Sequence, residues 1–348
     1  MTVVLTGGPC LIIDRTLTQL AKINKQFEGE EIFRFCRLLQ ETGVDLIEIN
    51  SVFLKKLGTV PPGLDFVLRI DSREELVSCG DPESVKFILI TRPELLKKLA
   101  DHKDRIIFEW RGDSKAELSK AVQDLKTPAG RIAILRIQGL SNQMLTDWQV
   151  LIKEITGDWQ VGIDVCPEDD YSLATALALD LPESSPGVSA ISASFNGIGN
   201  FAPLEEVIMA AKIIRGDPVL ADVSFLQTLK SSFEYLTEKK VLKNKPITGE
   251  NIFKYESGIH ADGIEKNPRT YEPYEPEMVG LKRKLVIGKH SGKNALIAKL
   301  KELHIKYDEK EIPRLIDHVK KMSVTLKREI SDQELLYLCQ SGSWESQR

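Results

Sequence analysis

Eight short runs rich in Val, Ile, Leu or Phe punctuate the first part of this chain: Cys10–Ile13, Asp45–Ile49, Asp65–Ile70, Val85–Ile90, Arg105–Trp110, Ile132–Ile137, Gln160–Cys166 and Val188–Phe195. None alternates strictly between apolar and polar residues, which is the pattern of strands covered on both faces. Longer amphipathic stretches separate them. Glu30–Thr42 places Ile32, Phe33, Cys36, Leu38 and Leu39 mainly on one face, and Ser114–Leu125, Asp147–Ile155 and Tyr171–Leu179 read similarly. Asp113-Ser114 and Asp169-Asp170 are candidate helix starts, because short polar side chains cap the free N–H groups of a first turn. Eight β-then-α units fit an α/β fold of the (β/α)8 TIM-barrel type better than an open doubly wound sheet. The fingerprint G-x-G-x-x-G of dinucleotide binders is absent, which weakens that alternative further.

From Pro203 the pattern changes. Pro203–Ile214 and Phe225–Lys239 read as helices. Residues Pro246–Gly292, rich in Pro, Gly, Tyr and Asn, read as mostly loop with short elements. Lys293–His304, Glu309–Lys327 and Asp332–Leu338 are again helical, and Ser341–Arg348 reads as a frayed end. The expected organisation is a barrel domain over 1–215, a linker subdomain over 216–292 and a helical C-terminal subdomain over 293–348.

The 348 residues carry a net charge of −4, with Lys and Arg interspersed among Asp and Glu. Nucleic acid is therefore not an expected partner, since phosphates call for a basic face. No apolar run approaches the ~20 residues of a membrane span, and the first ten residues do not read as a signal peptide. Five scattered cysteines, Cys10, Cys36, Cys79, Cys166 and Cys339, include no C-x-x-C pair. They read as reduced thiols of a cytoplasmic protein.

The densest motif run lies between Gly249 and Gly292. It contains Ser257-Gly258-Ile259-His260, Asp262-Gly263, Lys266-Asn267-Pro268, Thr270-Tyr271-Glu272-Pro273, Pro276, Val279-Gly280 and Gly288-Lys289-His290-Ser291-Gly292. With Pro246 and Gly249, this segment resembles the homocitrate synthase, isopropylmalate synthase and citramalate synthase group. The compact T-Y-E-P-Y-x-P and V-I-G-K-H-S-G forms look most like the short homocitrate synthases of nitrogen fixation, and no leucine-sensing domain is expected. The resemblance extends weakly over the barrel, through Gly43-Val44-Asp45, Ile47-Glu48, Ser172-Leu173-Ala174, Asn196-Gly197-Ile198-Gly199 and Leu204-Glu205-Glu206-Val207. It implies condensation of acetyl-CoA with a 2-oxo acid on a barrel that holds a divalent metal, Mg or Mn.

The departures fall on that chemistry. Where the family has D-T-T-L-R-D-G-E-Q, this chain reads Asp14-Arg15-Thr16-Leu17-Thr18-Gln19-Leu20, so Thr18 stands at the position of a substrate-polarising Arg and Gln19 at that of a metal-binding Asp. Where the family has H-x-H-N-D, this chain has Cys166-Pro167-Glu168-Asp169-Asp170. A-D-T-x-G becomes Leu135-Arg136-Ile137-Gln138-Gly139, and G-E-R becomes Gly199-Asn200-Phe201. A Gln amide is a weaker anchor for a hard cation than a carboxylate, and Cys with Glu differs from two imidazoles in softness and geometry. The barrel is expected to be degenerate and inactive by the family's mechanism.

The family's segment after the barrel reaches across a dimer and contributes a His and a Tyr to the partner's site. By resemblance these are His260 and Tyr271, the imidazole acting as general acid/base near the acetyl group with the help of the phenol. A degenerate barrel with an intact following segment looks like the omega type of a split homocitrate synthase. That resemblance implies a companion subunit that supplies the metal, the Arg and the 2-oxo acid site. The product would be homocitrate, the organic acid of the nitrogenase iron–molybdenum cofactor. Two other readings compete. One is a non-catalytic regulatory or scaffolding paralogue. The other is a rebuilt metal site from Asp14, Glu48 and Glu168, or from the run Glu168-Asp169-Asp170 with Cys166 or Asp14, although carboxylates at a helix start usually just complement its dipole.

The plainer readings are as follows. His260 orders a Gly-rich turn and Tyr271 plugs a gap. His290 orders a turn before a helix. His102, His304 and His318 are solvated. The clusters Lys239-Lys240-Lys243-Lys245 and Lys282-Arg283-Lys284 are solvated rather than gathered around the phosphates of coenzyme A.

Overall fold

The computed structural model describes residues 4–341 apart from 6–7, 24, 59, 80–81, 113–114, 127–131, 140–147, 158, 160 and 216–222. The helix start at Asp113-Ser114, the expected boundary between residues 215 and 216, and nearly all of the polar end from Ser341 therefore lie outside the described residues. The chain divides into two compact units, Met1–Leu242 with Pro246–Thr248, and Lys243–Lys245 with Gly249–Arg348.

The first unit is a closed barrel of eight parallel strands. They are β1 (Leu11–Asp14), β2 (Leu46–Asn50), β3 (Phe66–Ile70), β4 (Phe87–Ile90), β5 (Ile106–Arg111), β6 (Ile134–Gln138), β7 (Gly162–Cys166) and β8 (Val188–Ala193). Each pairs with its sequence neighbours, and β8 closes on β1 with Ala190 opposite Leu11 and Ala193 opposite Asp14. The eight apolar runs are thus the eight strands. Helices cover the outside between strands. Helix Gly29–Glu41 starts in a capping box between Glu28 and Glu31 and buries Ile32, Phe35, Cys36 and Leu39, a stripe at the helical spacing. Phe35, not Phe33, belongs to that stripe; Phe33 is exposed, with the Arg37 guanidinium 5.3 Å above its ring. Helix Ala174–Ser184 begins later than its sequence pattern implies, because Ser172 takes a left-handed backbone (φ 56°). Asp169 still supplies the cap, accepting the Ala174 N–H at 3.1 Å.

Alternation along the strands builds the barrel interior in layers. Ile13, Leu46, Val67, Leu89, Ile107, Ile134 and Ala190 form an apolar floor. Two residues further along five of those strand paths come Arg15, Glu48, Arg69, Glu109 and Arg136, so the next layer is charged.

The second unit has its own core, which includes Leu285, Ile287, Leu296, Leu300, Leu315, Val319, Ile330 and Leu335. Its helices are Gly258–Lys266, Lys293–Glu302, Ile312–Leu326 and Asp332–Ser341, and Lys254–Tyr255 pairs in parallel with Lys284–Leu285. Among the described residues no helix is long and apolar enough to cross a membrane.

Candidate functional site

In the second unit, Ser257 caps helix Gly258–Lys266, its hydroxyl accepting the Ile259 N–H at 3.3 Å. This places His260 in the first turn, exposed, beside an Ile259 that is 77% exposed. The helix ends at Asn267, whose N–H bonds the Gly263 carbonyl. Pro268 then starts a tight turn that accepts the N–H groups of Tyr271 and Glu272. The turn folds the chain back, and the Tyr271 ring comes to rest with its centroid 4.8 Å from that of His260, tilted by 54°. Two residues eleven apart in sequence are thus brought together, both open to solvent, with Tyr271 45% exposed.

Two features hold the phenol there. Gly263 lies under the ring, and a Cβ at that position would overlap it. Glu272, next in sequence, is buried and held by Arg283, whose Nε donates to both carboxylate oxygens at 3.1 and 2.9 Å. Arg283 also pairs with Glu275, so it is not the solvated cation its sequence context implies. Gly263→Ala is expected to displace the Tyr271 ring while the unit stays folded. The displacement is to be read as a changed near-ultraviolet circular dichroism of the tyrosine set beside an unchanged far-ultraviolet spectrum.

The loop at Gly288–Gly292 is internally satisfied. Ser291 accepts the Gly288 N–H at 2.9 Å, and the Glu256 carboxylate accepts the His290 N–H at 2.7 Å. His290 orders this turn through its backbone while its side chain is exposed. Lys240 pairs with Glu234 at 2.7 Å and Lys243 with Glu250 at 3.0 Å, so the Lys239-Lys240-Lys243-Lys245 cluster is partly neutralised. His102 is half-buried, 3.2 Å from Glu83, rather than solvated.

In the barrel, the charged layer is a closed ionic network. Arg136 on β6 is fully buried. Its Nη1 pairs with Glu48 of β2 and lies 3.3 Å from Glu109 of β5, and its Nε donates to Asp164 of β7 at 2.5 Å. Arg69 of β3 bonds Glu109 at 2.8 Å and Glu48 at 3.3 Å. Arg15 reaches Glu109 at 3.4 Å, donates to the Cys166 thiol at 2.6 Å, and lies 4.0 Å above the Phe201 ring. Burial pushes the Glu48 carboxyl up, but Arg136, Arg15 and Arg69 outweigh it and hold it down at about 2. Burial likewise raises Glu109, and the same arginines bring it below the usual carboxylate range. The Cys166 thiol is pushed up to about 12 by burial, against the pull of Arg15.

Asp14 has the opposite parity on β1 and bonds the Thr16 N–H at 3.0 Å and hydroxyl at 2.6 Å. Glu168 accepts from Gln138 at 2.9 Å. Asp14, Glu48 and Glu168 are therefore not brought together, and among the described residues no three His, Cys, Asp or Glu side chains are placed to hold a metal. Thr18 donates to Glu48 at 3.1 Å. Gln19 accepts from Lys22 at 2.8 Å and packs under Gly199 (φ 81°), where a Cβ would come 2.6 Å from its Oε1.

Burial pushes the Asp14 carboxyl up to about 7 from its ordinary 3.8, more than the Thr16 bonds lower it. A folded-state value above the unfolded one stabilises the protonated form. The contribution is fully present below pH 3.8 and is lost as pH rises through about 7. Asp14→Asn is expected to flatten this part of the stability profile. Melting temperatures of both proteins at about pH 5 and pH 8 check it; equal slopes would count against Asp14 as the titrating group.

Residues 247–327 match the family model described as homocitrate synthase post-HMGL domain-like. The whole chain is 35% identical over 358 aligned positions to the omega subunit of homocitrate synthase from Clostridium pasteurianum, covering 100% of both. The chain belongs to the homocitrate synthase family. A homocitrate synthase AksA from Methanothermobacter thermautotrophicus is 41% identical over 174 residues, 49% of this chain and 44% of that relative, so the chain spans less than half of it. Among solved structures, an HMG-CoA lyase from Acenitobacter baumannii, in complex with coenzyme A and 3-methylmalate, superposes with a TM-score of 0.52. It is 13% identical and covers 67% of this chain and 92% of that one; the likeness is one of fold. Within the homocitrate synthase family, then, this member has the barrel and fills its interior with ion pairs.

Sequence reading misses that network. Its signal is a single charge inside each of several apolar runs, as in Ile47-Glu48-Ile49, Leu68-Arg69-Ile70, Phe108-Glu109-Trp110 and Leu135-Arg136-Ile137.

Proposed function

We propose that this chain is one subunit of a two-chain homocitrate synthase, which condenses acetyl-CoA with 2-oxoglutarate to give homocitrate and coenzyme A, and that it donates His260 and Tyr271 to the site of a companion subunit. One observation carries this reading: the ordered pair of functional side chains is exposed on the second unit, while the interior of the chain's own barrel is occupied by ion pairs. An exposed imidazole beside an exposed Ile259 suits a surface that another protein covers.

In the assembled enzyme the companion holds the divalent metal and the 2-oxo acid, and the metal supplies Lewis-acid polarisation of the reacting carbonyl. The contribution of this chain is proton handling. The imidazole of His260 moves a proton to or from the acetyl thioester, and the Tyr271 hydroxyl, fixed through Gly263 and Glu272, orients that exchange. The product links the reaction to assembly of the nitrogenase iron–molybdenum cofactor, and the cytoplasm is its place.

The test is release of coenzyme A from acetyl-CoA and 2-oxoglutarate with Mg2+ or Mn2+, using this chain alone and mixed with its companion. Activity only in the mixture is expected. Full activity of this chain alone would overturn the reading, and a mixture in which this chain alters only the companion's regulation would point to the scaffolding role instead.

A further inference from the structure

We propose that the Arg136 guanidinium is the resident cation of this barrel, standing among the carboxylates of its interior, and that the isolated chain therefore binds no divalent metal in its barrel. The inference stands on the barrel alone and is untouched by the fate of the His260 reading.

The geometry is that of a fork and not of a point. A divalent ion needs oxygens that converge on one centre at about 2.0–2.6 Å. Here three carboxylates from three strands meet two separate nitrogens of one planar group: Glu48 and Glu109 at Nη1, Asp164 at Nε. The spread matches the rigid donors of arginine. Most of the remaining oxygens are also committed; among the described residues Asp164 Oδ1 is the one carboxylate oxygen of this layer buried without a partner, and a single oxygen does not hold a divalent ion. Glu48 Oε1 accepts from Thr18 and Arg69, Glu109 Oε1 from Arg69, and Asp164 Oδ2 also from Ser192 at 2.9 Å. Three guanidiniums, those of Arg15, Arg69 and Arg136, face three buried carboxylates, those of Glu48, Glu109 and Asp164, and Arg69 also pairs outward with the half-exposed Asp71 at 2.9 Å, so each carboxylate of the layer already has a cation. A metal entering it would add two uncompensated positive charges to a water-poor interior. The barrel is also short of imidazole: His102 is the only histidine before His260, and it is engaged with Glu83.

Two measurements on the full chain test this. In the first, Mn2+ is titrated and its free fraction followed by electron paramagnetic resonance. No saturable one-to-one uptake is expected; stoichiometric uptake that Glu48→Gln abolishes would overturn the proposal. In the second, Arg136→Ala is melted with guanidinium or methylguanidinium chloride at low, non-denaturing concentration. A saturable recovery of melting temperature, absent with sodium chloride at equal ionic strength, is expected. Identical responses to the two salts would refute a cation-shaped vacancy. Arg136→Lys serves if the alanine variant does not fold. It keeps the charge without the fork, and is expected to melt lower than the wild type and still leave Mn2+ free; tight one-to-one Mn2+ uptake by it would overturn the claim.

Discussion

His260→Ala, introduced into the assembled two-chain enzyme, is expected to lower turnover by about 10²- to 10⁴-fold, the usual worth of a positioned general acid/base, without separating the subunits. The argument runs from exposure to function. His260 and Ile259 are exposed in the first turn of a nine-residue helix, so truncating the imidazole removes no buried contact and leaves the second unit's core untouched. A loss of activity with unchanged melting temperature and unchanged co-elution would then report chemistry. Tyr271→Phe, which keeps the ring 4.8 Å from His260 but removes the hydroxyl, is expected to lose about 10-fold, less than the histidine variant. Turnover, melting temperature and gel filtration of both variants settle the matter. A fully active His260→Ala complex would end the donated-residue mechanism.

The second large effect lies in the barrel. Arg136→Met is expected to cost about 3–5 kcal/mol of stability, the range for a buried ion pair deprived of one partner. Methionine fills much of the volume, so the loss reports the charge left uncompensated, at Asp164 above all, since Glu48 keeps Arg69 and Glu109 keeps Arg69 and Arg15. Arg136→Met combined with Asp164→Leu removes one charge of each sign and is expected to be less damaging than Arg136→Met alone. Urea unfolding measures both, since a guanidinium denaturant would interfere. The acid side follows from Glu48. Its folded value of about 2 lies below the ordinary 4.5, so its contribution is present above pH 4.5 and is lost as pH falls through about 2. A double variant as unstable as the single one would show that packing, not charge, dominates.

The strands are legible in the sequence because each is a short run of branched and aromatic residues bounded by polar ones, and the structure shifts their ends by only one or two positions. Helix Gly29–Glu41 is legible as a helix but not in its facing residue. Phe33 and Phe35 are equally apolar, and the spacing from Ile32 and Leu39, which buries Phe35, emerges only once the helix is seated. The His260–Tyr271 pairing is legible through a family resemblance, while the reason they meet, a turn at Pro268 over Gly263, is not. The ionic layer is hidden for a different reason. One charge in one apolar run reads as an exception. That Glu48, Arg69, Glu109 and Arg136 occupy the same height in the barrel follows from strand register, and register is a property of the closed sheet.

The pairing of charges in that layer also bears on how such a chain can change. Six side chains contributed by β2, β3, β5, β6, β7 and the residue just past β1 are balanced three against three. Replacing any one of them strands a charge in the interior at a cost that is a large share of a domain's whole stability. Single substitutions that remove a charge therefore lead downhill from here, and any other arrangement of this interior would require several coordinated replacements at once. The layer works as a ratchet: once the charges have closed on one another, the arrangement is held in place by the instability of the single-step variants around it.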